Sequence, residues 1–316
     1  MSLPAYGSVK RIGVIGAGTI GASWSAYFLS RGYEVSAQDP SPKGEAFLKG
    51  FIERAWPSLE KLGLSAGASP TRVTFTHNPV KALDGVDFVQ EQAPERLDLK
   101  QDLLAKIDSA LPADRVISSS TSSLMPSAMG ARLKHKERLI VGHPFNPPHL
   151  IPLVEVAGGP NASTGVVDWS VGFYRHIGKV AIRLKKEIPG HVSNRLQMAI
   201  FREALHLVLE GVVSVEDVDS AISDGPGLRW AIMGPMQTFA LAGGEGGMPH
   251  FVDHLGGMIQ GLFKELGKPE FDAPTIKKLL PEVEKAVKGR PVRERAAARD
   301  KALIGILSAL RDARRS

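Results

Sequence analysis

Short apolar runs alternate with stretches of helical period through the first 188 residues. Runs at residues 11–15, 33–39, 72–76, 86–91, 116–119, 139–143, 153–156 and 180–184 predict strands, and the stretches at 43–62 and 97–110 predict helices. A segment rich in Gly, Ser and Pro at 63–70 reads as a loop. Strands that alternate with helices argue for an α/β architecture, a mostly parallel sheet with helices on its faces.

Beyond residue 188 the pattern changes. Residues 192–211 read as one amphipathic helix, with Leu196, Ala199, Ile200, Ala204, Leu207 and Val208 at three- and four-residue steps. Further helices are predicted at 217–223, 235–242, 251–266 and 292–312, and no strand run of comparable quality is present. The chain therefore divides near Pro189-Gly190 into a Rossmann-type α/β domain, residues 1–188, and an all-helical domain, residues 189–316. A length of 316 residues suits two cores better than one.

Composition narrows the classes. Hydrophobic content of 43% and charged content of 23% are those of an ordinary globular protein. The chain has no cysteine, which excludes disulfides, thiolate catalysis and cysteine-ligated metal; no metal site is expected. A cysteine-free chain fits a reducing cytoplasm. The first strand begins at residue 11, too early for a signal peptide, and no apolar run reaches the roughly 18 residues of a membrane span, so a cytoplasmic location is expected. The net charge of +6 comes from 39 basic and 33 acidic residues that are interspersed. The basic excess at Arg311, Arg314 and Arg315 reads as a solvated helix end, so neither nucleic acid nor membrane is expected as a partner.

The first candidate chemistry lies at the start. An apolar strand runs into Gly16-Ala17-Gly18-Thr19-Ile20-Gly21, a helical stretch follows, and a second strand ends on Asp39. In that context G-x-G-x-x-G is the dinucleotide-binding fingerprint. Gly16 permits the tight turn, Gly18 lets the backbone approach a pyrophosphate, and Gly21 lets the helix pack on the strand. The helix start offers free N–H groups to phosphate. Asp39 accepts from ribose hydroxyls and repels a 2′-phosphate, which favours NAD over NADP.

Three more clusters follow, two of them where later strands end. His143 follows an apolar run, and Glu155 stands on the next strand after a proline-rich reversal that can return it alongside. A histidine oriented by a carboxylate is a general base of fixed tautomer. Residues 118–123 are five serines and a threonine, hydroxyls that can bind ribose and substrate oxygen or serve as caps and turns. Asn194 opens the first helix of the second domain; at that place asparagine is more often a cap than a ligand.

In this combination and order the clusters resemble the 3-hydroxyacyl-CoA dehydrogenase family, over residues 12–245. The resemblance implies that His143 of the H-x-F-N-P segment is the base and that Glu155 of L-V-E-V orients it. It implies that Ser122 of S-x-T-S-S-L and Asn194 of G-x-x-x-N-R hold the substrate oxygen. NAD contacts are implied at Gly16, Ala17, Gly18, Thr19, Ile20, Gly21, Asp39, Glu95, Lys100 and Asn146. The implied reaction is hydride transfer from carbon 3 of a small 3-hydroxy acid to NAD, with the hydroxyl proton taken by His143. The implied assembly is a homodimer through the helical domain. The face carrying Val252, Leu255, Ile259, Leu262 and Phe263 needs burial, there or within its own domain.

Residues 91–100, 119–127, 143–148 and 227–235 are similar more narrowly to the lambda-crystallin and L-gulonate 3-dehydrogenase branch, with carnitine dehydrogenases close. Where acyl-CoA enzymes carry a short G-x-P-x-G-P segment, this chain has a longer one bearing Arg229 and Trp230. That departure turns the expectation towards a free acid like L-gulonate. Carnitine and a short 3-hydroxyacyl-CoA stand as alternatives, and a non-catalytic crystallin-like NAD-binding protein as the reading of another class. Arg229 is the candidate anchor for a substrate carboxylate, against an ordinary interhelix ion pair. Trp230 is a candidate substrate contact, and with Phe239 it offers aromatic surface to a trimethylammonium group.

Overall fold

The computed structural model describes residues 3–313, so Arg314 and Arg315 lie outside the described residues. The chain forms two compact units, Met1–Asn194 and Arg195–Ser316.

The first unit runs β1 (Arg11–Ile15), α1 (Thr19–Ser30), β2 (Glu34–Gln38), α2 (Gly44–Leu62), β3 (Val73–Thr76), β4 (Phe88–Glu91), α3 (Leu97–Ala110), β5 (Val116–Ser119), α4 (Pro126–Met129), β6 (Leu139–Pro144), β7 (Leu153–Gly158), α5 (Thr164–His176) and β8 (Val180–Arg183). The eight strands make one sheet in the order β3-β2-β1-β4-β5-β6-β7-β8. Every neighbouring pair is parallel except β6 and β7. The observed architecture is therefore a Rossmann-type, mostly parallel sheet followed by helices.

Strand side chains alternate between the two faces, and each face has its own core. Val14, Val116 and Ile140 pack with Trp24, Phe28, Leu48, Ile52 and Phe173 from α1, α2 and α5. Their chain neighbours Ile15, Ile117 and Val141 pack on the opposite side with Leu104, Ile107 and Met129 from α3 and α4. Being buried on both faces makes these strands read as continuous apolar runs.

The approach to β6 is pinned by a buried ion pair. Arg138 donates from Nε and Nη2 to Asp108 Oδ1 at 2.9 and 2.8 Å, and Asp108 Oδ2 accepts the N–H of Lys134 at 2.7 Å and of His135 at 3.2 Å. Burial pushes the Asp108 carboxyl up, but these bonds outweigh it and hold the group below the usual carboxylate range.

The chain continues through α6 (Ser193–Leu209), α7 (Val215–Ser223), α8 (Pro226–Trp230), α9 (Pro235–Ala242), α10 (Gly247–Glu265), α11 (Ala273–Val287) and α12 (Val292–Ala313). No strand occurs beyond β8 among the described residues. Four of the helices, the short α4 and α8 and the longer α5 and α11, fall in stretches to which the sequence reading gives no range. In α5 Val166, Val167, Trp169, Ser170, Val171, Phe173 and Tyr174 are buried while Thr164, Asp168, Arg175 and His176 are exposed, a polar stripe too sparse to stand out in the sequence. In α11, Pro274 and Pro281 read as breakers. Pro274 sits in the first turn, where its missing N–H costs nothing, beneath a cap in which Asp272 Oδ1 accepts from the Thr275 N–H at 3.0 Å. Among the described residues no helix is long and apolar enough to cross a membrane.

Candidate active site

His143 on β6 and Glu155 on β7 are directly paired in the antiparallel register. Opposed residues of such a pair project from the same face, so the strand pairing itself sets imidazole against carboxylate. His143 Nδ1 lies 2.8 Å from Glu155 Oε2. His143 is 5% exposed and Glu155 is 0% exposed. The second carboxylate oxygen, Oε1, accepts the N–H of Val192 at 3.0 Å and of Ser193 at 2.9 Å, the amides at the start of α6.

Burial alone would push the Glu155 carboxyl up. The bond from His143 and the two amides outweigh it and hold the group below the usual carboxylate range. With its folded value lowered, this carboxylate's contribution to stability is present at neutral pH and is lost as pH falls through that value. An ionised Glu155 fixes Nδ1 of His143 as the donor, so Nε2 is the proton-accepting edge of the neutral ring.

Ser122 lies in the loop that leaves β5, and Glu95 organises that loop. One oxygen, Glu95 Oε1, accepts from Thr121 Oγ1 at 2.5 Å, the Ser122 N–H at 3.0 Å, the Ser123 N–H at 2.8 Å and Ser123 Oγ at 2.9 Å. Burial raises the Glu95 carboxyl, and the bonds from Thr121 and Ser123 with the charge of Lys100 bring it below the usual range. Asn194 reaches the same loop from α6, its Nδ2 donating to the Ser122 carbonyl at 3.0 Å. A continuous path of bonds and adjacent residues thus joins His143, Glu155, Asn194 and Ser122.

His191 completes this neighbourhood. Its Nε2 donates to the Thr121 carbonyl at 3.1 Å, its ring centroid is 5.1 Å from that of His143, and its φ is 51°. Burial, which outweighs the bond to Thr121, holds its ionisation below the usual histidine value, so the ring is neutral at neutral pH. A left-handed backbone at a non-glycine residue is strained, and the side-chain bond to Thr121 helps to hold it there. The next two residues are the ones whose amides grip Glu155.

The glycine turn has the shape of a dinucleotide cradle. Gly16 has φ +94°, and a Cβ there would stand 2.8 Å from the Gln92 carbonyl oxygen. A Cβ at Gly21 would stand 1.9 Å from the Gly16 carbonyl oxygen, whereas one at Gly18 would meet nothing within 4 Å. Thr19, Ile20 and Gly21 form the first turn of α1, whose N-cap Gly18 offers no side-chain acceptor, so the helix amides stay free for an anion. Asp39, just past β2, accepts the Ala17 N–H on Oδ2 and the Ser41 N–H on Oδ1, both at 2.9 Å. An open glycine turn, an uncapped helix start and an adjoining carboxylate fit the pyrophosphate and ribose of NAD.

Lys100 and Asn146 are placed differently from each other. Lys100 is 1% exposed, with Nζ 2.8 Å from Glu91 Oε1, 2.9 Å from the Ala93 carbonyl and 3.9 Å from Glu95 Oε2. Its charge offsets two acids beneath the serine loop. Asn146 is exposed on the reversal between β6 and β7.

In the second unit, Arg229 on α8 is exposed and makes no ion pair among the described residues, so the interhelix pair considered for it does not form there. Trp230 is 37% exposed. Phe239 stacks on Phe251 with centroids 5.0 Å apart. Sequence reasoning missed the placement of His191, Glu91 and Gln92. A histidine within a Pro-Gly turn and a glutamine at a strand end carry no local signal of what they will touch.

Two family models cover most of the chain. That for "3-hydroxyacyl-CoA dehydrogenase, NAD binding domain" matches residues 11–188, and that for "3-hydroxyacyl-CoA dehydrogenase, C-terminal domain" matches residues 190–289. L-carnitine dehydrogenase of Streptomyces griseus is 48% identical over 301 residues, 95% of this chain and 90% of that protein. L-carnitine dehydrogenase of Pseudomonas aeruginosa is 41% identical over 304 residues, 96% of this chain and 95% of that protein. Among solved structures, 5-formyl-3-hydroxy-2-methylpyridine 4-carboxylic acid 5-dehydrogenase, an NAD+ dependent dismutase, matches with a TM-score of 0.84 at 28% identity, covering 96% of this chain and 99% of that one. The 3-hydroxybutyryl-CoA dehydrogenase of Escherichia coli matches with a TM-score of 0.63 at 30% identity, covering 74% of this chain and 50% of that one.

The base pair makes a direct prediction. His143→Gln should lower kcat by about 10²–10⁴-fold, while the NADH dissociation constant, read by fluorescence titration, stays within twofold of the parent. Near-parental turnover in that variant would remove His143 as the base.

Proposed function

We propose that this chain, which belongs to the 3-hydroxyacyl-CoA dehydrogenase family, oxidises the C3 hydroxyl of L-carnitine. It is an NAD-dependent dehydrogenase acting on a CH–OH group. The observation that carries the substrate reading is 48% identity across 95% of the chain with the Streptomyces griseus L-carnitine dehydrogenase. These identities favour carnitine over the L-gulonate-like acid expected from the motifs.

The site chemistry suits a secondary alcohol β to a carboxylate. His143 Nε2 takes the hydroxyl proton as the carbonyl forms, and the charge that develops on the ring is met by Glu155 through Nδ1. NAD, when bound, supplies the acceptor for the hydride that leaves C3. Ser122 Oγ and Asn194 hold the substrate oxygen in line with the base. Asn194 spends one N–H on the Ser122 carbonyl and keeps its other N–H and its Oδ1.

Nothing in that set reads the two ends of carnitine. Arg229, exposed and without an ion pair among the described residues, is our candidate for its carboxylate, where a guanidinium binds both oxygens. Trp230 is our candidate for the trimethylammonium end, by cation–π contact. We further propose a second copy of the chain as partner. Val252, Leu262 and Phe263 on α10 remain 53%, 54% and 70% exposed, more apolar surface than one helix should leave to water.

Three measurements test these readings. In an NAD-reduction screen, L-carnitine should exceed L-gulonate, 3-hydroxybutyrate and 3-hydroxybutyryl-CoA in kcat/KM by at least about tenfold, a discrimination of one well-used charged contact; preference for any of the others overturns the substrate. Arg229→Met should raise KM for the free acid by about 10- to 100-fold with little change in NADH affinity, and an unchanged KM removes its role. Sedimentation equilibrium should give about twice the 33.9 kDa chain mass, and a monomer at micromolar concentration would refute the partner.

A further inference from the structure

Gln92 follows β4, and its N–H donates to the Ile15 carbonyl at 2.7 Å, so it stands where β1 and β4 both end. The strand order runs outward from there in both directions, β1 to β2 on one side and β4 to β5 on the other. That is the topological switch point, the place where open α/β sheets bind ligands. The Gln92 side chain lies against the glycine turn: a Cβ on Gly21 would be 3.2 Å from its Oε1.

Both polar atoms of that side chain, Oε1 and Nε2, are buried and have no hydrogen-bond partner. The other buried unpaired atoms among the described residues, on Arg11, Arg31, Arg115 and His191, each belong to a group engaged through another atom or through its charge. Among these described residues, Gln92 alone has its whole functional group buried and unpaired. Leaving an amide in that state opposes folding, and a leucine of similar size would fill the space without the penalty. The residue as a whole is only partly buried, and turning the amide outward breaks no hydrogen bond.

We infer that Gln92 is a dinucleotide-binding residue. Its Nε2 donates to an oxygen of the phosphate–ribose backbone of NAD at the glycine turn, and its Oε1 accepts from a ribose hydroxyl. The cofactor satisfies an amide that the protein by itself leaves unsatisfied. This inference rests on NAD as the cofactor and is independent of the substrate.

The test uses the purified protein with NADH alone. Gln92→Leu should weaken NADH binding by about 5- to 30-fold, the loss of one bond to a charged or strongly polar group. The same variant should melt, without cofactor, no lower than the parent. A dissociation constant less than threefold above the parent's overturns the inference. So does weaker binding accompanied by a lower melting temperature, which would make the amide a structural group. A second variant guards against misfolding of the first. Gln92→Glu sets a carboxylate near the pyrophosphate, and its weakened binding should recover as salt rises from 0.05 to about 0.5 M; salt-independent affinity equal to the parent's also overturns the inference. A parent protein that fails to bind NADH would instead remove the cofactor reading.

Discussion

One buried carboxylate, engaged through both oxygens, holds the reactive end of this protein together. Glu155 gives one oxygen to His143 and the other to two amides at the start of α6. Breaking either set would leave a buried charge short of partners, a loss of several kcal/mol, about 3–5 in comparable buried pairs. His143 is therefore oriented by the same group that fixes where α6 begins. That double use depends on one departure from a parallel sheet. A parallel crossover needs about a dozen residues or more, and residues 145–152 are too few, so β7 must run back along β6 and bring Glu155 opposite His143.

The reversal is itself held from below. Lys179 donates from Nζ to the carbonyls of Pro148 and Ile151, and its Nζ stands 3.7 Å from the ring centroid of Tyr27. Burial pushes its ionisation well below the usual lysine range. Ser23 on α1 bonds both the ring and the N–H of His149, at 2.8 and 2.9 Å. The loop that carries Asn146 is thus tied to the helix that starts at the glycine turn, and cofactor and base elements share one rigid support.

The glycine turn and the pairing of His143 with Glu155 were legible in the sequence because each has a local signature. A strand followed by G-x-G-x-x-G must turn tightly, and a proline-rich segment between two apolar runs must reverse. Residues 164–176 were not legible as α5, since the wide buried face leaves only Thr164, Asp168, Arg175 and His176 to mark the polar stripe. NAD contacts at Glu95 and Lys100 were implied only through family resemblance, and the structure shows both side chains engaged within the protein. Glu95 ties up the serine loop, and Lys100 sits beneath it as a buried counter-charge to Glu91. An unpaired amide such as that of Gln92 has no sequence signature at all, because being unpaired is a property of the surroundings.

The same reasoning separates what this site does from what it does it to. In the proposed reaction imidazole, carboxylate, hydroxyl and amide all address one alcohol and its proton, and they would serve a thioester, a sugar acid or carnitine equally well. Discrimination must come from groups that meet the rest of the substrate, by attraction to the right ends or by leaving charges unpaired against the wrong ones. A guanidinium and an indole on consecutive residues, Arg229 and Trp230, have that character. A free carboxylate would satisfy the first, whereas an uncharged thioester at the same atoms would leave it unpaired. On the substrate reading proposed above, discrimination against an acyl-CoA would fall to residues 227–235 rather than to the His143–Glu155 pair.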